Sequence, residues 1–152
     1  MPTANPSHAP ISIRKAAKAD APALVTILEG IAAERVHSAI DVPWTDEKER
    51  KYLGSLSARE GVHLAETAPG NVVGFQVLDL WAPTLSSMRH VAQLGTFLLP
   101  EWRRQGIGRE LFSTTAASPE KPRIRSLLSR YARRIYRRRR FISDWDSVRV
   151  DV

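Results

Sequence analysis

The chain has 152 residues, 43% of them apolar, with no cysteine and a formal net charge of +7. That length fits one domain with its own core. The missing cysteines exclude disulfides, thiolate metal sites and a cysteine nucleophile, and they fit a cytoplasmic setting. No apolar run approaches the ~20 residues that a membrane helix needs. Residues 1–10, with Pro2, Pro6 and Pro10, lack a basic-then-apolar secretory pattern and are expected to form a disordered leader.

The charge is unevenly placed. Residues 1–119 hold 12 Lys/Arg and 12 Asp/Glu, whereas residues 120–152 hold 11 Lys/Arg and 4 Asp/Glu. The whole excess therefore lies in the last fifth of the chain, and two compositions meet near Ser118.

Residues 11–15 alternate apolar and polar, which predicts a half-buried first strand. Asp20 is an expected helix N-cap, with Pro22 in the first turn. Leu24, Ile27, Leu28 and Ile31 then have the spacing of a helix buried on one side. Residues 37–44 are irregular. Thr45 predicts a second N-cap, followed by Asp46, Glu47 and Glu49, acids suited to the positive end of a helix dipole. Tyr52, Leu53 and Leu56 continue that helix. Val62 to Thr67 is an expected strand, Pro69-Gly70-Asn71 a hairpin turn, and Val72 to Trp81 the partner strand.

The next stretch, residues 91–112, is the most informative. An apolar run, Leu94 to Leu99, is stopped by Pro100, which has no N–H for a ladder. The basic turn Arg103-Arg104-Gln105-Gly106-Ile107-Gly108 follows. A helical pattern then opens, with Ile107, Leu111 and Phe112 on one face. A strand, a glycine turn and a helix together present backbone N–H groups to a phosphate. Gly106 and Gly108 leave the backbone approachable, and Arg103 and Arg104 add positive charge. Arg109, a cation in a first helical turn, opposes the dipole unless an anion lies near.

This stretch resembles motif A of the GNAT superfamily of acyl-CoA N-acetyltransferases: an apolar strand, Pro100, Glu101, Trp102, then Arg-x-x-Gly-x-Gly at Arg103, Gly106 and Gly108. The resemblance implies an α/β (α+β) fold, with a central mixed, mainly antiparallel sheet and flanking helices, over residues 11–117. It implies acetyl-CoA as co-substrate, no metal, and a small-molecule amine or amino acid as acceptor. Homodimers occur in the family. Pro43-x-Thr45 resembles the subgroup that acetylates amino acids and phosphinothricin-type herbicides.

By the same resemblance, the backbone N–H groups of Gln105, Gly106, Ile107 and Gly108, with Arg103, Arg104 and Arg109 near, grip the pyrophosphate. The main chain of Phe97, Leu98 and Leu99 faces the pantetheine arm. Such enzymes often use a carboxylate or a histidine acting through water, or no strong base at all; Glu66 is the expected base here, beside Asp79, His63 and His90 as further candidates. The family carries Asn-x-x-Ala-x-x-x-Tyr-x-x-x-Gly-Phe. Ala132, Tyr136 and Phe141 match it, while Ser129 and Arg140 depart from it. Tyr136 is then the expected acid for the leaving thiolate.

The tail, residues 118–152, fits the family least. Pro119 and Pro122 interrupt the place of a further apolar strand. Ile124, Leu127, Leu128, Tyr131 and Ile135 have helical spacing, which predicts a helix within 124–140 and leaves a C-terminal strand doubtful. Three readings stand: a divergent C-terminus, an arginine-rich helix that binds nucleic acid or an acidic partner, and a coding frame shifted near Ser118. Nucleic acid ranks below the other two readings. The alternative function is a non-catalytic protein with this fold, a degenerate cleft and a binding tail.

Overall fold

A computed structural model describes residues 10–35, 42–117 and 126–129. The expected leader up to residue 9, residues 36–41 and the basic tail apart from 126–129 lie outside the described residues.

The elements run β1 (Ser12–Lys15), α1 (Ala21–Ala33), α2 (Asp46–Ser55), β2 (Gly61–Glu66), β3 (Val72–Leu80), β4 (Val91–Leu98), α3 (Ile107–Ala116) and β5 (Ser126–Ser129). The sheet order is β1-β2-β3-β4-β5. The first four strands are antiparallel neighbours, and β5 pairs parallel to β4, Val91 opposite Ser126 through Leu94 opposite Ser129. This corrects the expectation of helix across 126–129. The apolar spacing there suits either state, and pairing with the free edge of β4 decides it, because strand preference is set largely by neighbours.

The α1 helix forms because Leu24, Ile27, Leu28 and Ile31 share one stripe, and that stripe is buried against Val62, Leu64 and Phe75 of the sheet. Each such side chain contributes about 1.5–3 kcal/mol by leaving water. The opposite face of the sheet is covered by Ile107 and Leu111 of α3, packed on Ala65 and Val73. Helices on both faces explain why every residue of β2 is buried. Its alternation separates two packed faces instead of a core face and a wet one.

Two helix starts differ from each other. Thr45 caps α2 as expected, its Oγ1 accepting from the Lys48 N–H at 3.4 Å. Asp20 precedes α1, but its carboxylate turns back to accept from Ala17 N–H (2.7 Å) and from the Arg14 guanidinium (2.8 and 2.7 Å). Those hydrogen bonds, from Arg14 above all, hold Asp20 below the usual carboxylate range. Arg14 also reaches Glu66 at 3.1 Å, so one guanidinium ties β1 to β2 and to the start of α1.

Glycine is required where β3 and β4 come closest. A Cβ on Gly74 would lie 2.6 Å from the Phe97 carbonyl oxygen. Backbone cannot yield there as a side-chain tip can, so Gly74→Ala is expected to cost about 2 kcal/mol, a typical overpacking penalty. A thermal melt read by circular dichroism should show the midpoint falling by about 4–8 °C.

Candidate active site

The site is organised by the edge of β4. Leu99 N–H donates to Val73 O (3.1 Å), and Trp81 N–H donates to Val91 O (3.1 Å). Hydrogen-bonding direction alternates along an antiparallel strand. The odd-numbered residues of β4 therefore turn their main-chain groups to β3, and the even-numbered ones turn theirs outward. Ala92 and Leu94 lie within the stretch paired with β5. Among the described residues, no strand pairs with β4 beyond Leu94, so the first open main-chain groups on that edge belong to Thr96 and Leu98.

The expected contacts change accordingly. Leu99 is corrected: its N–H serves Val73, and its carbonyl accepts from Trp102 N–H at 3.0 Å. Phe97 pairs with Phe75, its ring stacked on that residue at 4.9 Å, and its main chain faces β3. Leu98 keeps an outward N–H, while its carbonyl accepts from Arg103 Nε at 2.9 Å. Thr96 joins the edge, a residue that the sequence pattern did not single out. Its hydroxyl accepts from the buried Gln76 amide at 2.9 Å.

The turn after β4 delivers the start of α3 to this same edge. A Cβ on Gly108 would lie 3.8 Å from both Thr96 and Leu98 side-chain carbons. Arg103 N–H donates to Pro100 O, and Arg109 and Glu110 N–H both donate to Gly106 O. Between Arg103 and Arg109, no backbone N–H finds a carbonyl among the described residues. The amides of Gln105, Gly106, Ile107 and Gly108 are therefore available to an anion at the positive end of the helix. Gly106 has φ +87°, and nothing lies within 4 Å of where its Cβ would be, so the space above it is open. Gly108 has ordinary room for a methyl group, so freedom of approach is needed at Gly106 and not at Gly108.

The arginines divide. Arg103 is committed to the fold: its guanidinium forms a bidentate pair with Glu34 (2.7 and 2.6 Å) at the end of α1. Arg104 is exposed, enters the left-handed region at φ +66°, and makes no hydrogen bond or ion pair among the described residues. Arg109 is also exposed and has a partner of its own.

Of the base candidates, Glu66 is corrected. It is buried on β2, two strands from β4, with one oxygen held by Arg14 and the other without a partner. His63 is buried against Thr115 of α3 at 3.0 Å, on the far side of the sheet from α2. His90 is exposed before β4. Tyr136 lies outside the described residues. Asp79 does approach the site. It stands opposite Gln93, and Phe75, Val77 and Asp79 share the α1–α2 face with Phe97, Gly95 and Gln93.

Asp79 is joined there by Tyr52 and Glu49 of α2. The Tyr52 hydroxyl donates to Asp79 Oδ1 at 2.5 Å. Glu49 is 5% exposed, and its carboxylate makes no hydrogen bond or ion pair among the described residues. Burial, then the charge of Asp79, pushes Glu49 up. Burial also pushes Asp79 up against the Tyr52 hydrogen bond, with Glu60 adding to the rise. Glu60 itself is displaced upward by burial, but hydrogen bonds from Ser57 and Leu80 N–H outweigh that and leave it lowered. The sequence signal for Glu49 was its place three and four residues before Tyr52 and Leu53, on the apolar face of α2. An acid in a first helical turn is already explained by the helix dipole, so that place alone does not single Glu49 out.

Solved structures of similar fold are N-acetyltransferases. A ribosomal-protein-alanine N-acetyltransferase from Brucella melitensis is 26% identical over 78% of this chain and 72% of its own, with a TM-score of 0.64. An acetyltransferase of the GNAT family from Streptococcus pneumoniae is 20% identical, covers 79% and 74%, and has a TM-score of 0.69. A GNAT superfamily phosphinothricin acetyltransferase from Sinorhizobium meliloti, solved in complex with AcCoA, is 20% identical and covers 70% of this chain, which spans 57% of that protein; the TM-score is 0.60. No protein-family model and no curated relative matches the sequence at a significant level. The chain thus shares the fold of these acetyltransferases. Among the described residues no helix is long and apolar enough to cross a membrane, and no side-chain cluster could hold a metal ion.

Two stability predictions follow from these roles. Arg103→Ala removes the bidentate pair with Glu34 and the hydrogen bond to the Leu98 carbonyl and should cost about 2 kcal/mol in a denaturant melt, whereas Arg104→Ala should change it by less than about 0.5 kcal/mol. A carboxylate whose folded pKa is raised favours folding as pH falls through that pKa and opposes it above. Glu49→Gln should therefore raise the thermal midpoint at pH 8 and raise it less at pH 4. An equal shift at both values would contradict the assignment.

Proposed function

We propose that this chain is an N-acetyltransferase that moves the acetyl group of acetyl-CoA to the amine of a small molecule or amino acid. The observation that carries the reading is the edge of β4 beyond Leu94, open among the described residues, with the amides of the Gly106 turn, also without a carbonyl partner among them, at its far end.

The residues fit this co-substrate. The amides of 105–108 suit a pyrophosphate, and the open space over Gly106 admits it. The exposed guanidinium of Arg104 adds charge attraction. The outward N–H groups of Thr96 and Leu98 suit the amide-bearing arm and the thioester carbonyl oxygen. The neutral amine attacks the carbonyl carbon: a C–N bond forms, the C–S bond breaks, and its electron pair leaves with sulfur. The proton lost by nitrogen is balanced by the one that the thiolate gains. Tyr136 is the tyrosine that the family pattern offers to protonate the thiolate.

Isothermal titration with acetyl-CoA tests the reading. Saturable binding is expected, and no heat at millimolar coenzyme would overturn it. Gly106→Ala forces a methyl-bearing residue into the left-handed region and into the space over the turn. It should weaken coenzyme binding at least tenfold while costing the fold about 1–2 kcal/mol.

A further inference from the structure

The acidic group between α2 and β3 has no counter-ion among the described residues. Glu49 is nine-tenths buried with no partner among them, and Asp79 has the Tyr52 hydroxyl. No lysine, arginine or histidine is paired with either carboxylate among the described residues. Buried carboxylates are normally paired, because an isolated charge loses its hydration without replacement. A cation is thus the missing component. A metal ion does not suit the group, since no cluster of three or more metal-ligating side chains is present among the described residues. An organic cation does. Trp44 stands edge-on to Tyr52 at 5.8 Å, remains 46% exposed, and already carries the Lys48 ammonium 5.4 Å from its ring centroid, so the rim of the group accommodates positive charge.

The position gives the cation a role. Asp79 is opposite Gln93, and the next residue of β4 on that face is Gly95. Diagonal neighbours of this kind lie about 7–8 Å apart. The acidic group is therefore one short alkyl chain from the part of the β4 edge that is open among the described residues.

We propose that the acceptor is a small amine with a second cationic group, and that Glu49 and Asp79 receive that second cation while the other nitrogen is presented at the open edge of β4. The inference rests on the acetyltransferase reading and narrows its substrate class. A carboxylate-bearing acceptor placed the same way would add a third negative charge to two that already repel each other, so a simple α-amino acid is disfavoured.

The test uses the full chain and its tryptophan fluorescence. Butane-1,4-diamine should give a saturable change, butylamine should bind at least tenfold more weakly, and 4-aminobutanoate should give none. Glu49→Gln and Asp79→Asn should each weaken diamine binding at least tenfold, with circular dichroism confirming that both variants are folded. Equal affinity for butylamine, an unaffected Glu49→Gln, or no saturable diamine signal would overturn the inference. Titration with acetyl-CoA separates the two readings. A chain that binds coenzyme but not the diamine keeps the acetyltransferase function and loses this substrate class; a chain that binds the diamine alone does the reverse.

Discussion

Each residue of β4 can offer its main chain to one side only. That constraint, imposed by the geometry of an antiparallel ladder, fixes most of what surrounds the site. Odd positions hold the sheet together through β3, and even positions are left for β5. Because the described part of β5 pairs only with Val91 to Leu94, the even positions beyond Leu94 are open among the described residues. The site is a gap in a hydrogen-bonding pattern, and it needs a polar occupant because exposed strand edges are otherwise prone to aggregation. The side chains of β4 meanwhile secure the strand on both faces, Phe97 stacked on Phe75 below α1 and Leu98 against α3.

The acidic group shows the opposite relation between site and stability. A buried Glu49 beside Asp79, without a partner among the described residues, works against folding near neutral pH, and nothing in the packing of α2 requires it. Tyr52, Leu53 and Leu56 already attach that helix to the core. Local features that oppose stability and persist are characteristic of sites where function sets the residue.

Much of the fold was legible in the sequence for identifiable reasons. The stripe of α1, the Thr45 cap, the Pro69-Gly70-Asn71 turn and the Pro100 stop are local signals, each contained within a few residues. The glycine turn was legible because anion binding at a helix start needs a small number of residues in sequence. What was not legible depends on partners distant in the chain. The short β5 carries helical spacing and becomes a strand only beside β4. The direction of a main-chain group at Thr96 or Leu99 is set by ladder parity, which no side chain reports. Arg103 was expected to face phosphate, but Glu34 lies 69 residues away and takes its guanidinium. Glu66 was a plausible base by residue type, and its capture by Arg14 of β1 is equally non-local.

The Arg103–Glu34 pair has a mechanical meaning as well. It fastens the end of α1, where the chain departs toward the irregular segment before Thr45, to the loop that leads into α3. With Arg103 Nε also anchored on Leu98 O, three elements share one planar group. The loop cannot swing on its own without breaking a bidentate bond or dragging α1. The two halves of the cleft thus form a single lever, and a torque applied at the glycine turn is felt at the opposite wall.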